Sequence, residues 1–139
     1  MLSNTLNTNE VKNSAGTEVE FSRISTSQRE TTFSQVSETP SLPHRLTIKH
    51  VESGRDMKLR RRSVVRFDKT VISGVDSVTP ITISAYVVLD LPIGAMSAIA
   101  EGTNVVAELL SFCATTGAAT TVLFDGTGNG ATALLAGGL

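Results

Sequence analysis

Arg45-Leu46-Thr47-Ile48-Lys49-His50-Val51, followed by Glu52-Ser53-Gly54-Arg55-Asp56 and then Lys58-Leu59-Arg60-Arg61-Arg62-Ser63-Val64-Val65-Arg66-Phe67, is the stretch that decides the fold. Side chains alternate across a strand, so every second residue shares a face. In the first run Leu46 and Ile48 take one face, and Arg45, Thr47 and Lys49 take the other. The middle run contains Gly54 among polar residues and reads as a turn. The second run, expected as a strand over 58–67, sends Leu59, Arg61, Ser63, Val65 and Phe67 one way and Lys58, Arg60, Arg62, Val64 and Arg66 the other. The product is a hairpin with one apolar face and one strongly basic face.

Working outward, Ser73-Gly74-Val75-Asp76-Ser77 reads as a loop, and a third strand is expected over Ile81 to Leu91. Its residues Ile83, Ala85, Val87, Leu89 and Leu91 face inward, with Thr82, Ser84, Tyr86, Val88 and Asp90 outward. Upstream, Val19, Phe21 and Ile24 and then Thr31 to Val36 fit a short hairpin, ended by Pro40 and Pro43. Residues 1–17, rich in Ser, Thr and Asn, read as a flexible or edge segment. After Pro92 and Gly94 the period changes. Met96, Ile99, Ala100, Val106, Leu109, Leu110 and Cys113 recur at helical spacing, with Ser97 or a neighbour as cap. A second short helix is expected near Thr120 to Phe124, and the Gly- and Ala-rich residues 126–139 read as a tail. Strands followed by helices define an α+β chain with an antiparallel sheet. We expect a single domain over 1–139, with hairpin and sheet in 18–91 and helices in 92–125. One long helix covers a wide sheet poorly, so a dimer in which helices of one chain pack on the sheet of another is expected.

The net charge of -1 hides a strong segregation. Residues 1–43 sum to -2, residues 44–69 to +6, and residues 70–139 to -5 with no Lys or Arg. A concentrated patch matters more to a polyanion than the total does. Like charges set side by side on a sheet repel. A polyanion that neutralises them and releases its counterions reverses that penalty. Lys58, Arg60, Arg62 and Arg66, with Arg45 and Lys49 on the adjacent strand, therefore point to nucleic-acid binding. Tyr86 falls on the same side, where an aromatic can stack on a base. Arg61 is a misfit, sent by its parity toward the apolar face, at a rim or beside an acid.

Other features point away from chemistry. His44 and His50 lack the spacing and the Cys or acidic neighbours of a metal site. Gly126-Thr127-Gly128-Asn129-Gly130 lacks the Lys-Ser/Thr of a phosphate loop. The acids Asp76, Asp90, Glu101, Glu108 and Asp125 form no recognisable catalytic pair, and no catalytic residue, cofactor or metal is expected. Cys113, the single cysteine, reads as a small buried hydrophobe. The polar first residues carry no signal peptide, and no apolar run approaches spanning length, so a soluble protein made in a cytoplasm, with no membrane partner, is expected.

Pro43 to Lys49 with its turn, the strand Leu59 to Phe67, the run Ala85-Tyr86-Val87-Val88-Leu89-Asp90-Leu91-Pro92 entering a helical region, and the hairpin Glu18 to Phe33 together resemble the coat proteins of single-stranded RNA bacteriophages, the leviviruses. The resemblance covers most of 18–115 and rests on the order and spacing of elements. It implies an N-terminal hairpin, a five-stranded antiparallel sheet and two C-terminal helices that interlock in a homodimer. Such dimers close into an icosahedral shell, a virion assembled in the bacterial cytoplasm with the sheet facing single-stranded viral RNA. The loop expected over 68–80 makes contacts around symmetry axes. In the family the dimer also grips an RNA hairpin and represses translation. Positions matching that RNA face are Arg45, Thr47, Lys49, Arg60, Arg62, Val64, Arg66, Ser84 and Tyr86. This face is richer in Arg than the family's base pockets, which favours general RNA packaging, and the Gly-rich end does not read as the second helix. A competing expectation is a small non-viral dimeric RNA-binding module. The half of the chain without Lys or Arg suits burial against protein better than a free-standing binder.

Overall fold

A computed structural model describes residues 2–96, 98–117 and 121–138. It divides into two compact units, one of residues 2–10 and Val19–Met96, the other of Val11–Glu18 and residues 98–138.

The first unit is one antiparallel sheet of six strands in chain order: β1 (Thr5–Leu6), β2 (Phe21–Thr26), β3 (Glu30–Gln35), β4 (His44–Ser53), β5 (Arg60–Ile72) and β6 (Pro80–Leu91). The expected hairpin is β2–β3, and it is continuous with the rest of the sheet. The opening segment adds the two-residue edge β1, which Arg23 helps to fix by donating from Nη2 to the carbonyls of Leu2 (2.6 Å) and Ser3 (3.0 Å). A register shift between Arg23 and Ser25 takes Ile24 out of the alternation that Phe21 begins. Phe21, Phe33 and Leu46 are buried, and the Phe21 ring meets Phe67 and His44 edge-on at 5.9 and 5.1 Å.

Two boundaries differ from expectation. Gly54 (φ +90°) and Asp56 (φ +51°) wind the turn after β4 into a 3-10 turn over Asp56–Lys58. Lys58 therefore precedes the strand and lies outside the ladder that begins at Arg60. At its other end β5 continues to Ile72, because Val71 and Ile72 pair with Ile81 and Pro80. The loop is thus 73–79 rather than 68–80. Asp76 closes it, accepting hydrogen bonds from the amides of Val78 (3.0 Å) and Thr79 (2.9 Å) and from the Thr79 hydroxyl. These donors favour the ionised form and hold the Asp76 carboxyl down at about 2. A carboxyl lowered on folding stabilises above its ordinary value and loses that contribution as pH falls through the lowered one. The Asp76 side-chain carbon in an NMR titration should therefore turn over near 2, and a midpoint in the ordinary Asp range would contradict this loop geometry.

In the second unit α1 (Ala100–Ala114) and α2 (Asn129–Ala136) are the helices. The N-cap of α1 is Ile99, with no side-chain cap, and Ser97 lies outside the described residues. The helix expected near Thr120 to Phe124 is not formed over its described part. Val122 bridges to Thr115, and the Leu123 amide donates to the Ala114 carbonyl at 2.6 Å. The second helix instead occupies the stretch read as a tail. Its glycines permit close approach to α1: a Cβ on Gly128 would sit 2.3 Å from the Cys113 carbonyl oxygen, and one on Gly130 would sit 2.4 Å from that of Phe112. Gly137 ends α2 in the left-handed region at φ +67°. Cys113, expected buried, is half-buried.

Candidate nucleic-acid interface

Strand register assigns the two faces. Arg45 pairs with Asp68 and Asp68 with Ser84, and the next rows of this face are Thr47–Arg66–Tyr86, Lys49–Val64–Val88 and Val51–Arg62–Asp90. Ser53–Arg60 ends the series. Nine of the ten expected residues, Arg45, Thr47, Lys49, Arg60, Arg62, Val64, Arg66, Ser84 and Tyr86, thus share one face, and Lys58 is the exception. Tyr86 is 65% exposed, directly across from Arg66.

The face is not the unmixed row of cations that the alternation suggested. Arg45 meets Glu38 at 2.6 Å, Lys49 meets Glu30 at 3.0 Å, Arg60 meets Asp90 at 2.9 Å, and Arg66 meets Asp68 at 2.8 Å. Of the face's five cations only Arg62 has no carboxylate partner among the described residues. Asp68 also accepts from the Ser84 hydroxyl, and together Arg66 and Ser84 hold its carboxyl below the ordinary range. The carboxylates answer the problem of like charges packed on one sheet. Asp68 and Asp90 lay on this face by parity alone, whereas Glu30 and Glu38 required the β3–β4 pairing. Val51, Val64 and Val88 add apolar surface between the charges, and Val51 and Val88 are exposed.

The opposite face explains Arg61. Its Nε donates to Glu52 at 2.9 Å, and Arg29 holds the same carboxylate through two bonds of 3.0 and 3.1 Å. Both guanidinium groups keep the Glu52 carboxyl below its usual range. The histidines are also on this side: His44 Nδ1 lies 2.9 Å from Gln35 Oε1, and His50 Nδ1 lies 2.8 Å from Ser63 Oγ. Among the described residues no cluster of three His, Cys, Asp or Glu side chains could hold a metal, and no helix is long and apolar enough to cross a membrane.

On that same face β6 carries Ile81, Ile83, Ala85, Val87, Leu89 and Leu91 in one row. The sequence placed Ile83, Ala85, Val87, Leu89 and Leu91 inward, and the register puts them together on the face of Leu46 and Phe67. Within one chain, however, Ile81, Ile83, Ala85 and Val87 are exposed. The helical unit likewise exposes Val105, Leu109, Leu110 and Phe112. Each unit thus leaves a group of large apolar side chains exposed.

The architecture is that of the levi-like phage coat proteins. The bacteriophage EMS014 coat protein matches with a TM-score of 0.64 at 15% identity, over 87% of each chain. The bacteriophage GA capsid protein matches at 0.52 and 20% identity, over 87% of this chain and 85% of that one. The subunit of the virus-like particle of Beihai levi-like virus 32 matches at 0.54 and 17% identity, over 68% and 75%. No protein-family model matches the sequence, and no curated protein is similar to it at the sequence level.

Proposed function

We propose that this chain is a structural, non-enzymatic coat subunit of a single-stranded RNA phage. It forms a homodimer, and the dimers close into an icosahedral shell in the host cytoplasm with the polar sheet face toward the RNA. The observation that carries the reading is the division of β6. Its apolar row is uncovered in a lone chain, while Tyr86 and its neighbours on the other side share a face with Arg62 and Arg66. Helices from a second copy, apolar and free of Lys and Arg, suit the first face, and RNA suits the second. The loop 73–79, with Val75 and Val78 exposed, suits contacts between dimers. The polar face is also proposed to grip an RNA hairpin and so repress translation.

Electron microscopy of the purified recombinant protein, with absorbance at the nucleic-acid and protein wavelengths, tests this. Uniform closed particles carrying excess nucleic-acid absorbance are expected. Dimers that bind RNA but never close would replace the coat reading with that of a small RNA-binding module.

A further inference from the structure

We propose that Asp90 is an intramolecular stand-in for an RNA phosphate, shared between Arg60 and Arg62, and that it sets how strongly this face takes single-stranded RNA. The inference rests on reading the face as the RNA-binding surface.

The geometry behind it is an offset between backbone and side chain. In the ladder Asp90 is the direct partner of Arg62, yet its carboxylate bonds Arg60 Nε at 2.9 Å. Arg60 lies one position past the end of the β5–β6 pairing, which runs from Arg61–Leu91. The carboxylate therefore leans along the strand to the outer arginine and leaves the inner one open. Asp90 and Arg60 are both about half exposed, so neither is locked by packing. A carboxylate and a phosphate offer an arginine the same paired acceptor oxygens. One acid between two guanidinium groups neutralises one of them at a time. Removing Arg60 leaves Asp90 beside Arg62, its ladder partner, and the open cation is then covered.

The two arginines consequently count as one phosphate contact in the native chain and as two once Asp90 is neutral. Each contact on a single strand contributes about 0.7 to the slope of log affinity against log salt. That is about a 2.5-fold loss of affinity over a fourfold rise in salt.

The test is fluorescence anisotropy of a labelled single-stranded RNA oligonucleotide with the full chain, below the concentration at which shells form, titrated with salt. Arg60→Ala and Arg62→Ala should each flatten the slope by about 0.7, and the double variant should be no flatter than either. Asp90→Asn should steepen the slope by about 0.7, and in that background the two Ala substitutions should add. Asp90→Ser removes the same charge and should behave as Asp90→Asn, which keeps the test independent of one variant's folding. If the native chain binds with a salt slope but the two single effects add, or if Asp90→Asn and Asp90→Ser leave the slope unchanged, the shared latch is overturned and the RNA face stands. If the native chain shows no salt-dependent RNA binding, the RNA face itself is wrong and the latch falls with it.

Discussion

Phe21→Ala is expected to destabilise the chain by about 3–5 kcal/mol, the range for deleting a fully buried phenyl ring. Phe21 has no exposed surface, and its ring touches Phe67 of β5 and His44 of β4 edge-on. It therefore ties the β2–β3 hairpin to the long strands, and alanine leaves a void that the surrounding sheet fills only in part. Burial lowers the His44 pKa, with Lys69 acting in the same direction and Glu38 opposing, which favours the neutral imidazole at this edge-on contact. Urea unfolding followed by far-ultraviolet circular dichroism at fixed protein concentration should show a lower midpoint with a similar slope. Phe124→Ala is the matched control, because that ring is 81% exposed and its loss should move the midpoint little. Equal effects of the two substitutions would refute the assignment of the core.

Leu109→Asp should abolish assembly while leaving the single chain's secondary structure intact. Leu109 lies on α1 and is 42% exposed in a lone chain, so an aspartate there keeps access to water until a second copy covers it. On association the charge is buried without a partner, a cost of about 3–5 kcal/mol in each copy. Val87→Asp places the same charge on the apolar row of β6 and should behave alike. Light scattering after size exclusion should report small species for both variants, and micrographs should contain no shells. Native-sized particles from both would mean that neither α1 nor this row of β6 meets another copy.

Much of this is legible in the sequence alone, and the reason is parity. Once 45–51 and 81–91 are read as strands, period two fixes which side chains share a face, and the pairings Arg66–Tyr86 and Lys49–Val64 bear this out. Parity says nothing about which residue lies across from which. That needs the turn, and the turn needs Gly54 and Asp56 at positive φ, which moved Lys58 off the strand. The same limit hid Glu30, Glu38 and Glu52 as partners of Lys49, Arg45 and Arg61. It made the basic face look less compensated than it is. Helix α2 was missed for a different cause. Its glycines argue against a helix on propensity, and they are there because the Phe112–Ala114 backbone comes too close for a side chain.

The two margins of the sheet are unequal: β1 offers two residues and β6 offers twelve. Antiparallel pairing of β6 with β6 of a second copy is isologous, each molecule presenting the same strand to the other. Such pairing would consume the long margin of both partners at once and leave only the two short ones outside. Growth by strand addition would then stop at two molecules, with no filament by this route. In a dimer joined that way, the brevity of Thr5–Leu6 would act as a chain terminator and leave further association to surfaces other than strand edges.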